Sequence, residues 1–137
     1  MSVISELIRT EQDGKISFGD YTLASKTKKD NFVHRTDKYK VKTFREITKL
    51  ECNGLFVYES VPGTAVNSLD LTENGVSFQV EGPKDAEITL GLSDSTEYEV
   101  LINGENAGTM KTNLGGKLTV SVELEADHQT DVTIRKK

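Results

Sequence analysis

Few side chains in this chain of 137 residues could do chemistry, and their spacing matches no known catalytic pattern. Glycoside hydrolysis needs two carboxylates at a set separation, and Glu97 and Glu99 would share one face of a strand. Cys52 is the single cysteine, and a nucleophilic cysteine needs a neighbouring base and a lowered pKa. The residues around Cys52 supply no base, and Glu97 and Glu99 fit an ordinary solvated strand. We therefore predict no catalytic residue.

The sequence also lacks motifs that would indicate a metal or cofactor site. The two histidines, His34 and His128, stand apart, without the His-Glu-x-x-His or His-x-His spacing of zinc sites. The glycines fall at turns between strands and not between a strand and a helix, where phosphate loops lie. We therefore expect neither a metal nor a cofactor.

The charge pattern is more informative, because a basic segment interrupts an acidic chain of net charge -5. Residues 26–49, from Lys26 to Lys49, hold nine basic and three acidic side chains. One interpretation is a patch that binds an acidic polymer, either an acidic sugar chain or a nucleic acid. The other is an exposed loop beside an edge strand whose lysines block unwanted pairing. Aromatic residues occur along this region, so the candidate binding residues are Tyr39, Lys40, Lys42, Phe44, Arg45, Phe56 and Tyr58.

The elements that must position these residues are predicted to be strands. Asn-Gly, Asp-Gly and Gly-Gly pairs recur along the chain, and such pairs suit tight hairpin turns. Runs of alternating apolar and polar residues follow them, as in residues 117–124. The predicted fold is all-β, an antiparallel β-sandwich built from consecutive hairpins.

Two hairpin registers can be predicted on the assumption of two-residue turns. A turn at Asn74-Gly75 pairs Leu71 with Phe78. A turn at Asn53-Gly54 pairs Cys52 with Leu55 and Leu50 with Val57. That second register leaves apolar side chains on both faces, so the hairpin is either covered on both sides within the monomer or meets a second copy in a homo-oligomer. The face concerned would contain Ile47, Phe56 and Tyr58.

The sequence predicts strands more clearly in the C-terminal half of the chain than in the N-terminal half. Seven short strands are predicted at 69–73, 76–81, 88–92, 98–102, 107–112, 117–124 and 131–135, an immunoglobulin-like or fibronectin-like pattern. Upstream, 25–37 reads as a polar loop, and 39–51 and 55–60 read as strands. Residues 3–8 fit a helix, or Ile8 and Thr10 pair with Phe18 and Ile16. A turn at 61–64 separates a hairpin subdomain at 1–66 from a sandwich subdomain at 67–137, and the two either stand apart or pack as one domain.

The expected location follows from what the sequence lacks. The first residues show no signal peptide, and no window of 18 apolar residues could cross a membrane. A lone cysteine is typical of a reducing compartment. We therefore expect a cytoplasmic protein without a membrane partner.

Several stretches together resemble one family: ISELIRT, GKISFGDYTLA, EITKLECNGLFVYESVPGTAV and EYEVLINGENAGTMKTNLGGK. The family consists of short bacterial proteins labelled endosialidase or endosialidase-like, and the resemblance covers nearly the whole chain. It implies a carbohydrate-active hydrolase, which is one alternative function. The residues favour another, because sialidase propellers carry repeated Asp-box turns with tryptophan and this chain has no tryptophan. We predict a non-catalytic binding or assembly protein, with a carbohydrate or another acidic polymer as ligand, and retain a purely structural homo-oligomer as the other alternative.

Overall fold

The computed structural model describes residues 3–4, 6–125 and 128–137, and it consists of two antiparallel sheets packed face to face. The predicted all-β sandwich is therefore confirmed. The strands within the described residues are β1 (Ile8–Thr10), β2 (Ile16–Phe18), β3 (Thr27–His34), β4 (Asp37–Phe44), β5 (Ile47–Cys52), β6 (Leu55–Val61), β7 (Ala65–Thr72), β8 (Gly75–Glu81), β9 (Ala86–Gly91), β10 (Glu97–Ile102), β11 (Glu105–Lys111), β12 (Lys117–Val122) and β13 (Thr130–Lys136).

The seven-stranded sheet has the order β1-β2-β7-β8-β13-β10-β11, and the six-stranded sheet has the order β12-β9-β6-β5-β4-β3. Strands β3 to β6 form an uninterrupted meander, so the prediction of consecutive hairpins holds there. In the C-terminal half, β13 lies between β8 and β10. An immunoglobulin domain instead pairs its last strand with its sixth, so this half has a sandwich architecture with a different strand order.

The two predicted subdomains interleave. The boundary after residue 66 falls inside β7, two residues from its start. Each sheet takes strands from both sides of that boundary, because β2 pairs with β7 and β6 pairs with β9. The halves therefore form one packed unit.

Of the two alternatives for the N-terminal residues the structure has the strand pairing, whereas the prediction for the next region was wrong. Ile8 lies opposite Phe18, and Thr10 lies opposite Ile16, so a strand forms there; residues 1, 2 and 5 lie outside the described residues. The predicted polar loop at 25–37 is wrong, since β3 spans most of it. This strand lies at the sheet edge with mostly exposed side chains, so it has no apolar alternation to reveal it.

The predicted single strand at 39–51 is two strands, β4 and β5, joined by a turn at Arg45 and Glu46. Neither turn residue is glycine or asparagine, so the local sequence carried no turn signal. The 61–64 turn is confirmed, and it carries the chain from the six-stranded to the seven-stranded sheet. Gly63 is required there, since a Cβ at this position would lie 2.0 Å from the carbonyl oxygen of Phe44.

Both predicted registers needed correction. Leu71 pairs with Val76 and not with Phe78, because Gly75 is already a paired strand residue. Gly75 has φ 147°, and a Cβ there would lie 1.9 Å from the carbonyl oxygen of Ile134, so β13 can approach only a glycine. In the other hairpin Cys52 does pair with Leu55, but a bulge follows, and Leu50 pairs with Tyr58.

That bulge turns Tyr58 into the core. Its ring packs edge-on against Phe18 and Phe78, with centroid distances of 5.2 Å and 5.6 Å. Its hydroxyl lies 2.8 Å from the Thr64 hydroxyl, which is also 2.8 Å from that of Ser60. The predicted face of Ile47, Phe56 and Tyr58 is therefore wrong, because Tyr58 is fully buried.

No helix long and apolar enough to cross a bilayer occurs in the described part of the chain.

Candidate lysine face on the six-stranded sheet

The β4–β5 hairpin separates the candidate residues into two sets by simple alternation. On β4, Tyr39 points between the sheets, and so do Val41 and Thr43, which are fully buried. Lys40 and Lys42 point outward, because successive strand residues face opposite sides. The outer face of the six-stranded sheet therefore displays the basic segment. We call this outer face the lysine face.

Three lysines lie directly opposite one another on three adjacent strands of this face. Lys28 of β3 pairs with Lys42 of β4, and Lys42 pairs with Lys49 of β5. We call these three residues the lysine row. Neighbouring strands are about 4.8 Å apart, and like charges placed directly opposite destabilise a sheet. The row therefore concentrates positive charge at a cost in stability.

Few carboxylates neutralise this face. Lys49 is 3.8 Å from Glu51, and Lys40 is 3.9 Å from Asp30. Within the described residues, Lys28 and Lys42 form no ion pair. Beyond Lys49 the same transverse line continues as Glu59, Thr89 and Thr119 across β6, β9 and β12, so the lysines of this line all lie on β3–β5.

The two outward phenylalanines lie under ammonium groups. The Lys26 Nζ atom is 5.9 Å from the centre of the Phe44 ring. The Phe56 ring has Lys49 Nζ at 5.9 Å and Lys117 Nζ at 4.6 Å. Cation–π contact holds these lysines over the sheet and covers the rings, so the face presents charge more than free aromatic surface.

The two tyrosine candidates lie on the inner side of the sheet. Tyr58 has no exposed surface, and Tyr39 is 7% exposed. Burial raises the pKa of both phenols above their ordinary range, so both are neutral hydroxyls. Neither contributes to the lysine face.

Arg45 occupies the turn between β4 and β5, at the end of this face. Its backbone N–H donates to the carbonyl of Leu23 at 2.9 Å, and its own carbonyl accepts from the N–H of Gly63 at 3.0 Å. The side chain is exposed, beside Val61 and Pro62. Its backbone role therefore concerns the fold, while its guanidinium adds charge at the edge of the lysine face.

Sequence reasoning missed two contributors. Lys28 lies in the segment that was predicted as a loop, so its alignment with Lys42 and Lys49 was not foreseen. Lys117 comes from β12, far along the chain, and reaches the Phe56 ring only through sheet pairing; no local signal could have revealed it. Among the described residues no group of three or more histidine, cysteine, aspartate or glutamate side chains could hold a metal ion.

No protein-family model, no curated protein and no solved structure matches this chain. The resemblance to the endosialidase-like family therefore stays a prediction.

Proposed function

We propose that this protein is a non-catalytic β-sandwich that binds an acidic polymer on the lysine face. The observation that carries this proposal is the lysine row, in which three lysines lie opposite one another on three adjacent strands. A chain of regularly spaced anions would neutralise all three at once, which relieves their repulsion and releases bound counterions. The rest of the surface carries a net negative charge and would repel the same polymer, so binding is confined to this face.

Protection of a sheet edge accounts for only part of the pattern. Lys28 lies on β3, which is an edge strand, and an edge lysine discourages pairing with other chains. Lys42 and Lys49 lie on β4 and β5, which are paired on both sides and need no such protection. Binding of an anionic chain explains all three lysines.

The test is a titration of the full chain with a fluorescent sulfated polysaccharide, followed by anisotropy at several salt concentrations. Three neutralised anions predict that the logarithm of the binding constant falls with the logarithm of salt, with a slope of roughly −2 to −3. Replacement of the lysine row by K28Q, K42Q and K49Q together should abolish the salt-dependent binding.

The matched control removes the same charge elsewhere, with K84Q, K111Q and K136Q, and should leave the affinity within about twofold. Equal loss in both triple variants would mean that only net charge matters and would overturn the assignment to this face. A single-stranded oligonucleotide tested in parallel decides between polymer classes. Its tighter binding would move the proposal from an acidic carbohydrate to a nucleic acid.

The absence of catalysis is tested separately, on polysialic acid and a panel of glycosides. We expect no turnover. Turnover that disappears when a single carboxylate is replaced by its amide would replace this proposal with the hydrolase alternative.

A further inference from the structure

A cleft of about 230 Å³ opens between the two sheets, at the end of the sandwich where β4 begins and β5 ends. Ile16 and Leu69 of the seven-stranded sheet give it an apolar floor. Polar groups from both sheets complete the wall: His34, Arg35, Asp37, Tyr39, Cys52 and Asp70. We call it the Arg35 cleft. It lies between the sheets and is distinct from the outward lysine face.

Arg35 is held in an unfavourable backbone conformation at the mouth of this cleft. Its φ is 59°, in the left-handed region that bulky side chains avoid. Two other hairpin turns of this chain place asparagine in the same region, Asn53 with φ 51° and Asn103 with φ 52°. Glycine tolerates that conformation best, and asparagine comes next. Arginine at this turn therefore costs stability, which asparagine or glycine would not cost if the residue served only to form the turn.

The guanidinium of Arg35 packs over the β1–β2 turn. A Cβ placed on Gly14, which also lines the cleft, would come within 2.9 Å of its Nη2 atom. Although two carboxylates share the cleft, Arg35 forms no ion pair within the described part of the chain. Its forked donors are therefore available for a carboxylate from outside the protein.

The two carboxylates of the cleft differ in their hydrogen bonds to the rest of the protein. Asp37 accepts a hydrogen bond of 2.9 Å from the side-chain amide of Asn53, which ties it to the turn after β5. Asp70 makes no ion pair or side-chain hydrogen bond to any described residue. One cation and two anions line the wall, so a purely anionic ligand would be repelled, and a ligand with an additional positive group would be favoured.

Three further polar side chains, Tyr39, Cys52 and His34, line the cleft. Burial raises the pKa of both the Tyr39 hydroxyl and the Cys52 thiol, so both keep their protons at neutral pH. The His34 Nδ1 atom lies 3.1 Å from the hydroxyl of Thr10, which orients the ring. The cavity is smaller than those that take drug-sized ligands, so its ligand is a small molecule.

We propose that the Arg35 cleft binds a small zwitterion of the amino-acid class, with its carboxylate on Arg35 and its ammonium group on Asp70. An apolar side chain of the ligand would lie on Ile16 and Leu69. This proposal is independent of the lysine face and of the polymer proposed for it.

The test uses two-dimensional amide NMR of the full chain with three matched probes. Valine carries both charged groups, valine amide lacks the carboxylate, and 3-methylbutanoate lacks the ammonium group. We expect valine to shift the amide signals of Gly14, Cys52 and Leu71 saturably, and each of the other probes to bind at least about tenfold more weakly. No saturable shift with valine, or equal binding of all three probes, would overturn the proposal.

Two variants separate binding from folding. Arg35→Asn removes the guanidinium but places the preferred residue at the left-handed turn, so valine affinity should fall at least about tenfold while the thermal midpoint stays the same or rises. Asp70→Asn should lower valine affinity similarly and leave the weak binding of 3-methylbutanoate unchanged or improved. Arg135→Gln, on β13 outside the cleft, is the control and should bind valine normally. Unchanged affinity in Arg35→Asn would exclude this site.

Discussion

The inner face of the β4–β5 hairpin has two ends that use polar side chains in opposite ways. At one end Thr43 and Thr48 face each other across the strands, and at the other Tyr39 faces Cys52. Val41 and Leu50 separate them as a layer that is fully buried. The first end is a closed network of hydroxyl groups, and the second opens into the Arg35 cleft.

Every hydroxyl of the closed end has a partner. Thr48 donates to the carbonyl of Thr64 at 2.8 Å, accepts from the N–H of Thr64 at 3.0 Å, and lies 2.8 Å from the Thr43 hydroxyl. Thr43 in turn accepts from the N–H of Asp20 at 2.9 Å. These bonds hold the chain where it crosses from one sheet to the other. The buried polar groups of the closed end satisfy one another and stabilise the sandwich, whereas Tyr39 and Cys52 interact with each other at the wall of a cleft that a ligand can enter.

The largest expected effect is at the closed end, in Thr48→Val. This change keeps the shape of the side chain but leaves the buried N–H and carbonyl of Thr64 without their partner. We expect a loss of about 3 kcal/mol in the free energy of unfolding, measured by urea denaturation. Thr119→Val removes an exposed hydroxyl and should cost less than about 0.5 kcal/mol. Equal effects would contradict the view that the closed end holds the crossover.

Alkaline pH should lower the free energy of unfolding through titratable groups at both ends of the hairpin. The ordinary pKa values are 9.0 for cysteine and 10.0 for tyrosine, and burial raises those of Cys52, Tyr39 and Tyr58. Above the ordinary value the unfolded chain loses its proton first, so stability is complete below about pH 9 and falls as pH rises. The free energy of unfolding should fall by at most about 1.4 kcal/mol per pH unit for each group. Urea denaturation from about pH 8 to 11 measures it, and a flat profile would contradict the burial of these groups.

The paired variants Tyr58→Phe and Tyr39→Phe compare the two ends most directly. The Tyr58 hydroxyl bonds within the closed network, so its removal should cost about 1 kcal/mol in the free energy of unfolding. The Tyr39 hydroxyl lines the cleft, so its removal should cost less than half as much. Both rings remain in place, and denaturation curves of the two variants decide the outcome. A larger loss in Tyr39→Phe would reverse the proposed division.

The smallest effect concerns the outer face. Lys42→Thr removes the central charge of the lysine row and places a residue with high strand propensity there, so stability should rise by a few tenths of a kcal/mol at low salt. Added salt should shrink the gain, because salt already screens the repulsion. Thermal melts at two ionic strengths measure it. A loss of stability at low salt would show that the row is not repulsive.

The recurring turn pairs of the sequence predicted much of the fold, but they predicted few of the residue positions at the two candidate sites. Turn pairs such as Asn53-Gly54 act locally, so the presence of a hairpin and the pairing of Cys52 with Leu55 could be predicted. The bulge after that pair could not, because it is stabilised by packing of Tyr58 between Phe18 and Phe78, which come from distant strands. One bulged residue reverses the face of every side chain beyond it, so the predicted oligomer face failed with the register.

By itself the sequence determined that this chain is an antiparallel β-sandwich, because period-two alternation and turn residues are local properties that survive in any register. It also located the positive charge between Lys26 and Lys49. Only the tertiary structure decided which lysines stand in a row, which tyrosines are buried, and that Arg35 and Asp70 share a cleft. Those features depend on pairing between strands that are far apart in the chain, and that pairing is set by packing of the whole core.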